Sequence, residues 1–141
     1  MGGFFTKGLL QGHVRILVAD DQELVRKRVC ATLTSRSDFE VCAEATNGKE
    51  AVEKVKQLNP DLVILDITMP LMNGLEAARV IHSFAPCTPV LILSIHKSNQ
   101  LVDEARKIGA SGYVTKEDAV QKLVQAADVV LHNETFFPPR F

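Results

Sequence analysis

The chain has 141 residues, of which 46% are hydrophobic and 23% charged, a composition typical of globular domains and unlike that of disordered, collagenous or membrane proteins. Sixteen Lys and Arg residues against 17 Asp and Glu residues give a formal net charge of -1, which argues against binding to the nucleic acid backbone. One domain of this size can bury enough apolar surface to fold without disulfides or a structural metal.

Short β-branched runs alternate with segments of helical period from His13 onward, and this alternation predicts βαβ units around a parallel sheet. The predicted strands span residues 14–19, 39–44, 61–66, 89–95 and 112–115. The predicted helices span residues 22–35, 48–58, 73–84, 98–108 and 117–132. The third and fourth strands are apolar almost throughout, so we expect them at the centre of a sheet that helices cover on both faces.

The two ends of the chain differ from the body. Residues 1–12 carry no clear period and are interpreted as an N-terminal extension, residues 13–133 as one domain, and residues 134–141 as a tail. The tail sequence ETFFPPRF has two prolines and three aromatic residues, and it is either the start of a linker or a strap against the body.

Cysteine usage and the apolar runs together predict a soluble, cytoplasmic protein. Cys30, Cys42 and Cys87 lack the spacing of a metal site, so we expect reduced thiols. No run approaches the roughly 18 apolar residues of a membrane span, and the N-terminus lacks the pattern of a signal peptide.

Polar side chains stand at the ends of four predicted strands. These residues are Asp20, Asp21, Asp66, Ser94 and Lys116. A single Asp at such a position is often only a turn former or a helix cap. Because ligands of open α/β sheets bind at the carboxyl ends of the strands, the whole set predicts a functional site there.

Three crowded carboxylates repel one another unless a proton or a cation is present. An all-oxygen site of this kind suits Mg²⁺, which is commonly held by one or two carboxylates together with a substrate phosphate. A carboxylate beside Mg²⁺ can act as a nucleophile toward a phosphoryl group, with Lys116 as the ammonium group that neutralises charge.

Four segments resemble the signatures of the response-regulator receiver domain family in their order and spacing, over about residues 14–132. They are LVADDQ, LDITMPLMNGLEAARVI, LILSIH and GASGYVTKED. The resemblance implies a doubly wound, flavodoxin-like α/β fold of five parallel strands in the order 2-1-3-4-5. It also implies two-component signalling by phosphotransfer from a histidine kinase or a histidine phosphotransfer protein. Catalysis would then be limited to this phosphotransfer and to slow dephosphorylation.

Matched residue by residue, the resemblance implies that Asp66 is the phosphoacceptor. Asp21 is then a direct Mg²⁺ ligand and Asp20 a ligand largely through water. The backbone carbonyl of Thr68 completes the protein's contribution to the metal site.

The same resemblance assigns three further roles. Lys116 pairs with the phosphoryl oxygens, and Ser94 donates its hydroxyl to the phosphoryl group once it is present. Tyr113 then turns inward, and the output face comprises helix four, strand five and helix five. Taken alone, Tyr113 would more often be a half-buried aromatic residue of an edge strand.

One departure from the common pattern points to the NarL-like class: Glu117 and Asp118, rather than Pro, follow Lys116. Members of that class usually continue into a helix-turn-helix DNA-binding domain. We therefore expect either a stand-alone or an excised receiver, without nucleic acid binding by this chain itself. The alanine-rich face of the last helix is compatible with a homodimer, although core packing explains it equally well.

Three other functions are weaker interpretations. An aspartate-dependent phosphohydrolase typically has a general acid two residues after its nucleophile, and that position is Thr68 here. A dinucleotide-binding module would need a Gly-rich turn where Asp20, Asp21 and Gln22 stand. A receiver-shaped interaction module that works without phosphorylation would have no need for three clustered acids and a lysine.

Overall fold

The computed structural model describes residues 13–141, so the predicted extension of residues 1–12 lies outside the described part. The strands are β1 (Val14–Ala19), β2 (Phe39–Ala45), β3 (Leu62–Leu65), β4 (Val90–Ser94) and β5 (Gly112–Thr115). The helices are α1 (Glu23–Thr34), α2 (Gly48–Leu58), α3 (Gly74–Phe84), α4 (Asn99–Lys107) and α5 (Ala119–Leu131). All strand pairs are parallel and their order is β2-β1-β3-β4-β5, which confirms the predicted fold class and strand order.

Two apolar clusters cover the two faces of the sheet. Leu17 of β1 belongs to the cluster beneath α2, α3 and α4, whereas its neighbours Ile16 and Val18 belong to the cluster beneath α1 and α5. Successive side chains of a strand point to opposite faces, so one strand contributes to both cores. Every residue of β3 and β4 is buried, as the continuous apolar runs predicted.

Side-chain caps define where three of the helices begin. Asn47, Asn73 and Ser98 each accept a hydrogen bond from a backbone N–H three residues later, at the start of α2, α3 and α4. At α3 the Glu76 carboxylate also accepts from the backbone N–H of Asn73, which completes a capping box. The helix therefore begins at Gly74, one residue later than predicted.

The last helix begins later than its apolar period predicted. Residues Lys116–Asp118 form a 3-10 turn, and α5 starts at Ala119. The Thr115 hydroxyl donates to the Asp118 carboxylate at 3.1 Å within this turn. The tighter turn lies where Lys116 reaches the carboxyl edge of the sheet.

The C-terminal tail packs along the outer edge of β5. Phe136 forms a parallel bridge with Gly112, donates its N–H to the Ser111 carbonyl at 3.0 Å, and accepts from the Tyr113 N–H at 2.9 Å. Farther along, the Phe141 N–H donates to the side chain of Asn99 in α4 at 2.9 Å. These are the contacts of a strap, while the domain boundaries and a role as a linker stay predictions.

None of the helices formed by residues 13–141 combines the length and the apolar character needed to cross a bilayer.

Candidate functional site

Three carboxylates meet at the carboxyl edge of the sheet. Asp20 and Asp21 follow β1, and Asp66 follows the adjacent strand β3. One oxygen of each lies within 4.8 Å of the others. Asp20 and Asp66 are buried, with 2% and 6% of their surface exposed, whereas Asp21 is open to solvent. The cluster therefore combines two buried carboxylates with one that solvent can reach.

Lys116 lies directly against the two buried carboxylates. Its Nζ atom is 2.8 Å from Asp20 Oδ2 and 3.3 Å from Asp66 Oδ1. Burial disfavours the charged ammonium, but the ion pairs with Asp20 and Asp66 outweigh burial and raise the pKa of Lys116. Three carboxylates and one ammonium leave a net charge of -2 (-3 + 1) when all four groups are ionised.

The single ammonium of Lys116 does not balance the charge of the three carboxylates. Asp20 Oδ2 is buried and, despite its close ion pair with Lys116, has no partner in hydrogen-bond geometry among residues 13–141. The uncompensated negative charge and the all-oxygen set of side chains fit a divalent cation with oxygen ligands.

Burial is the main reason that the pKa of Asp66 rises to about 6. The ammonium of Lys116 acts in the opposite direction, and the negative charges of Asp20 and Asp21 raise the pKa further. At neutral pH most molecules therefore hold Asp66 as a carboxylate, in an environment that resists its charge.

We expect Asp66→Asn to stabilise the metal-free protein at pH 7.5 by about 1 to 3 kcal/mol, because one pKa unit corresponds to about 1.4 kcal/mol. Folding raises the pKa of Asp66 from 3.8 to about 6, so the folded state binds this proton more tightly than the unfolded state. The free energy of unfolding therefore falls as pH rises from about 4 to about 6. The gain should vanish below about pH 4. Urea unfolding in EDTA between pH 3.5 and 7.5 measures it, and a gain that is independent of pH would contradict the charge argument.

The other predicted site residues occupy neighbouring positions. Ser94 at the end of β4 is fully buried, and its Oγ accepts the His96 N–H at 3.0 Å. Tyr113 of β5 is also buried, rather than half-buried, and its hydroxyl donates to the His96 carbonyl at 2.7 Å. Thr68 lies two residues beyond Asp66, with its side chain exposed. The roles assigned to these residues stay predictions.

The loop after Asp66 is shaped by a close approach at one residue and by a left-handed conformation at another. A Cβ atom on Gly74 would lie 2.0 Å from the backbone oxygen of Asp66, so only glycine fits where α3 meets the end of β3. The left-handed residue of this loop is Leu71, with φ at 67°, and its side chain is 82% exposed. Gly74 is thus required for space rather than for conformational freedom.

Arg26 is a contact of the site that the sequence did not reveal. Its Nη1 donates to the backbone carbonyl of Asp20 at 2.8 Å, and its Nε donates to Glu44 at 2.8 Å. A single arginine in an amphipathic helix reads as a surface residue, and its partner Glu44 lies 18 residues away. No local pattern connects the two.

Comparison with known protein families identifies the domain that carries this acid cluster. The model of the response regulator receiver domain matches residues 16–128, which is most of the chain. The chain belongs to the response regulator receiver domain family. It is thus a receiver domain of two-component signalling, as the sequence signatures predicted.

Relatives of this receiver domain include two regulators from different bacteria. It is 40% identical over 126 residues to transcriptional regulatory protein LnrK of Bacillus subtilis, covering 89% of this chain and 57% of LnrK. It is 39% identical to chemotaxis protein CheY of Thermotoga maritima, covering 82% of this chain and 96% of CheY. The chain therefore spans little more than half of some relatives and nearly all of another.

Solved structures give the same result. A two-component response regulator of the LuxR family from Aurantimonas sp. SI85-9A1 superposes with a TM-score of 0.86 at 33% identity, over 90% of this chain and 91% of that chain. The signal receiver domain of the putative response regulator NarL from Mycobacterium tuberculosis gives a TM-score of 0.80, also at 33% identity, over 84% and 96% of the two chains.

Proposed function

We propose that this receiver domain accepts a phosphoryl group on Asp66 in a Mg²⁺-dependent reaction. The carboxylate cluster of Asp20, Asp21 and Asp66, with Lys116 against two of its members, carries this proposal. A histidine kinase or a histidine phosphotransfer protein is the donor that fits the family. Consistent with that pathway, the domain acts in the cytoplasm, and its chemistry is confined to its own phosphorylation and slow dephosphorylation.

Asp66 has the chemistry of an acceptor. Its ionised carboxylate attacks the phosphorus atom of the donor, a new O–P bond forms, and the bond from phosphorus to the leaving group breaks. The leaving group keeps the electron pair, as acetate from acetyl phosphate or as imidazole from phosphohistidine. Lys116, already within 3.3 Å of an Asp66 oxygen, is placed to neutralise the phosphoryl oxygens.

The acids and one backbone group would hold the metal. Asp21, Asp66 and the Thr68 carbonyl are the proposed direct ligands, and Asp20 acts largely through water. Mg²⁺ supplies charge neutralisation on the phosphoryl oxygens when it is bound. The proximity of the three carboxylates and the net negative charge of the cluster support this assignment.

A chain of hydrogen bonds offers a route from the site to the output face. Ser94 Oγ accepts from the His96 N–H, the Tyr113 hydroxyl donates to the His96 carbonyl, and the Tyr113 N–H donates to Phe136 in the tail. A phosphoryl group that accepts a hydrogen bond from the Ser94 hydroxyl would shift Ser94, and the shift would pass to His96 and Tyr113 through these hydrogen bonds. We propose that Ser94 and Tyr113 form the switch and that α4, β5 and α5 form the output face.

Intact-mass spectrometry tests the proposed function. The protein is incubated with acetyl phosphate and Mg²⁺, and a matched sample contains excess EDTA. We expect a gain of one phosphoryl group with Mg²⁺ and none with EDTA. If folded protein gains no mass from acetyl phosphate or from phosphorylated histidine kinases, the phosphorylation-independent module becomes the better interpretation.

Magnesium binding should also stabilise the fold. A cation that binds only the folded state at 100 times its Kd adds about 2.7 kcal/mol, so the thermal midpoint should rise with added Mg²⁺. We expect Asp21→Asn to lose most of this increase. Glu23→Gln is the matched control, because Glu23 is an exposed acid two residues away on the same segment. Equal Mg²⁺ responses of the two variants in thermal unfolding would contradict the assignment of Asp21.

A further inference from the structure

Arg26 joins the acid cluster to the framework through a backbone oxygen. Its side chain is 11% exposed, and its guanidinium bridges the Asp20 carbonyl and the Glu44 carboxylate with hydrogen bonds of 2.8 Å each. A buried guanidinium is costly unless its donors are paired. The two contacts therefore join helix α1, which carries Arg26, to the end of β1 and to strand β2.

The oxygen that Arg26 holds belongs to the peptide group between Asp20 and Asp21. This group is planar, so fixing the direction of its oxygen also fixes the positions of the backbone nitrogen and the Cα atom of Asp21. On the other side of Asp20, its backbone N–H donates to the Ala45 carbonyl at 3.0 Å. The backbone of Asp20 is thus held at both of its polar atoms.

Asp21 depends on this backbone for its position. Its side chain is exposed, and within residues 13–141 no group donates a hydrogen bond to its carboxylate. By contrast, the Oδ1 atom of Asp20 accepts the Gln22 N–H at 2.9 Å. The backbone at the Asp20–Asp21 peptide therefore sets where the Cβ atom of Asp21 lies, and with it the positions that its carboxylate can reach.

We propose that Arg26, held by Glu44, is a positioning residue that orients the Asp20–Asp21 peptide and thereby sets the Asp21 carboxylate for Mg²⁺. This inference rests on the proposed magnesium-dependent function. A guanidinium presents its donors in a rigid fork, so it can hold the carbonyl and the carboxylate at fixed angles, which the single ammonium of lysine does not reproduce.

Charge and position have opposite effects on metal binding here. A positive charge near a cation site weakens cation binding, so loss of the Arg26 charge alone would tighten Mg²⁺ binding. Loss of a positioning contact would weaken it, and contacts behind a metal ligand typically contribute about 10- to 100-fold in affinity. The sign of the change therefore separates the two explanations.

Lys27 provides a matched control. Its Nζ lies 2.9 Å from Glu44 Oε2, so it shares the carboxylate partner and the charge of Arg26. Its side chain is 56% exposed, and its hydrogen bonds go to Glu44 and not to the Asp20 carbonyl. Lys27→Met removes the same charge and an ion pair to the same acid, without touching the peptide of interest.

Calorimetric titration of the full chain with Mg²⁺ tests the proposal, with wild type, Arg26→Met, Arg26→Lys and Lys27→Met. We expect the Kd to rise about 10-fold in Arg26→Met and to rise also in Arg26→Lys. In Lys27→Met it should stay unchanged or fall. Circular dichroism confirms that each variant is folded at the titration temperature, because a purely structural role would lower stability without changing the Kd of folded protein. Arg26→Lys keeps the buried charge and serves if Arg26→Met does not fold.

An unchanged or lower Kd in the folded Arg26 variants, with wild type binding Mg²⁺ normally, would overturn the positioning role and leave the proposed function intact. Failure of wild type itself to bind Mg²⁺ would overturn both. An equal rise of the Mg²⁺ Kd in Lys27→Met would also overturn the positioning role, because the effect would then come from the ion pairs of Glu44 in general.

Discussion

Asp66→Asn should abolish phosphorylation by acetyl phosphate, while wild-type protein gains one phosphoryl group. The substitution keeps the size and shape of the side chain but removes the carboxylate that attacks phosphorus. Because it also removes one of three repelling charges, the variant should remain folded. Intact-mass spectrometry after incubation with Mg²⁺ and acetyl phosphate, together with circular dichroism, measures both properties.

Asp61→Asn is the control for this experiment. Asp61 is a buried acid just before β3, at the end of the strand opposite to Asp66. Its carboxylate accepts a hydrogen bond from the backbone N–H of Arg15 at 2.9 Å. Asparagine can still accept that bond, so phosphorylation should match wild type. A phosphoryl group on folded Asp66→Asn protein would show that another residue is the acceptor.

Gly74→Ala should destabilise the fold by about 3 kcal/mol or more, at the upper end of what overpacking costs. The added Cβ would lie 2.0 Å from the Asp66 backbone oxygen and 2.7 Å from its carbonyl carbon. Neither atom belongs to a flexible side chain, so α3 and the end of β3 must separate. Urea unfolding monitored by circular dichroism gives the change in free energy.

Chain entropy alone predicts the opposite sign for this substitution. Replacing glycine by alanine where no strain arises typically stabilises a protein by about 0.4 to 1 kcal/mol. Glu23→Ala is a suitable control, since Glu23 is the exposed first residue of α1, and a change within about 0.5 kcal/mol is expected. A Gly74→Ala variant as stable as wild type would mean that the contact with Asp66 relaxes easily.

The sequence alone determined the fold class because its strands and helices carry strong local patterns. The continuous apolar runs of β3 and β4 predicted burial on both faces, and the helical periods predicted each crossover. Boundaries moved where side chains decided them, as with the capping box of Asn73 and Glu76.

The acid cluster could also be predicted, because parallel strands bring their carboxyl ends to one edge. That rule placed Asp20, Asp21, Asp66, Ser94 and Lys116 at the same end of the sheet. The family resemblance then supplied a role for each of them. Those roles stay predictions until the phosphorylation and metal-binding experiments are done.

Only the tertiary structure decided the contacts between distant parts of the chain. Arg26 and Glu44 lie 18 residues apart, and the Phe136 bridge to Gly112 joins the tail to the edge of β5. The raised pKa of Asp66 depends on burial, which is a property of the assembled core rather than of any segment. Local patterns report the period of a helix or strand, but they carry no information about which distant group will complete a hydrogen bond or exclude water.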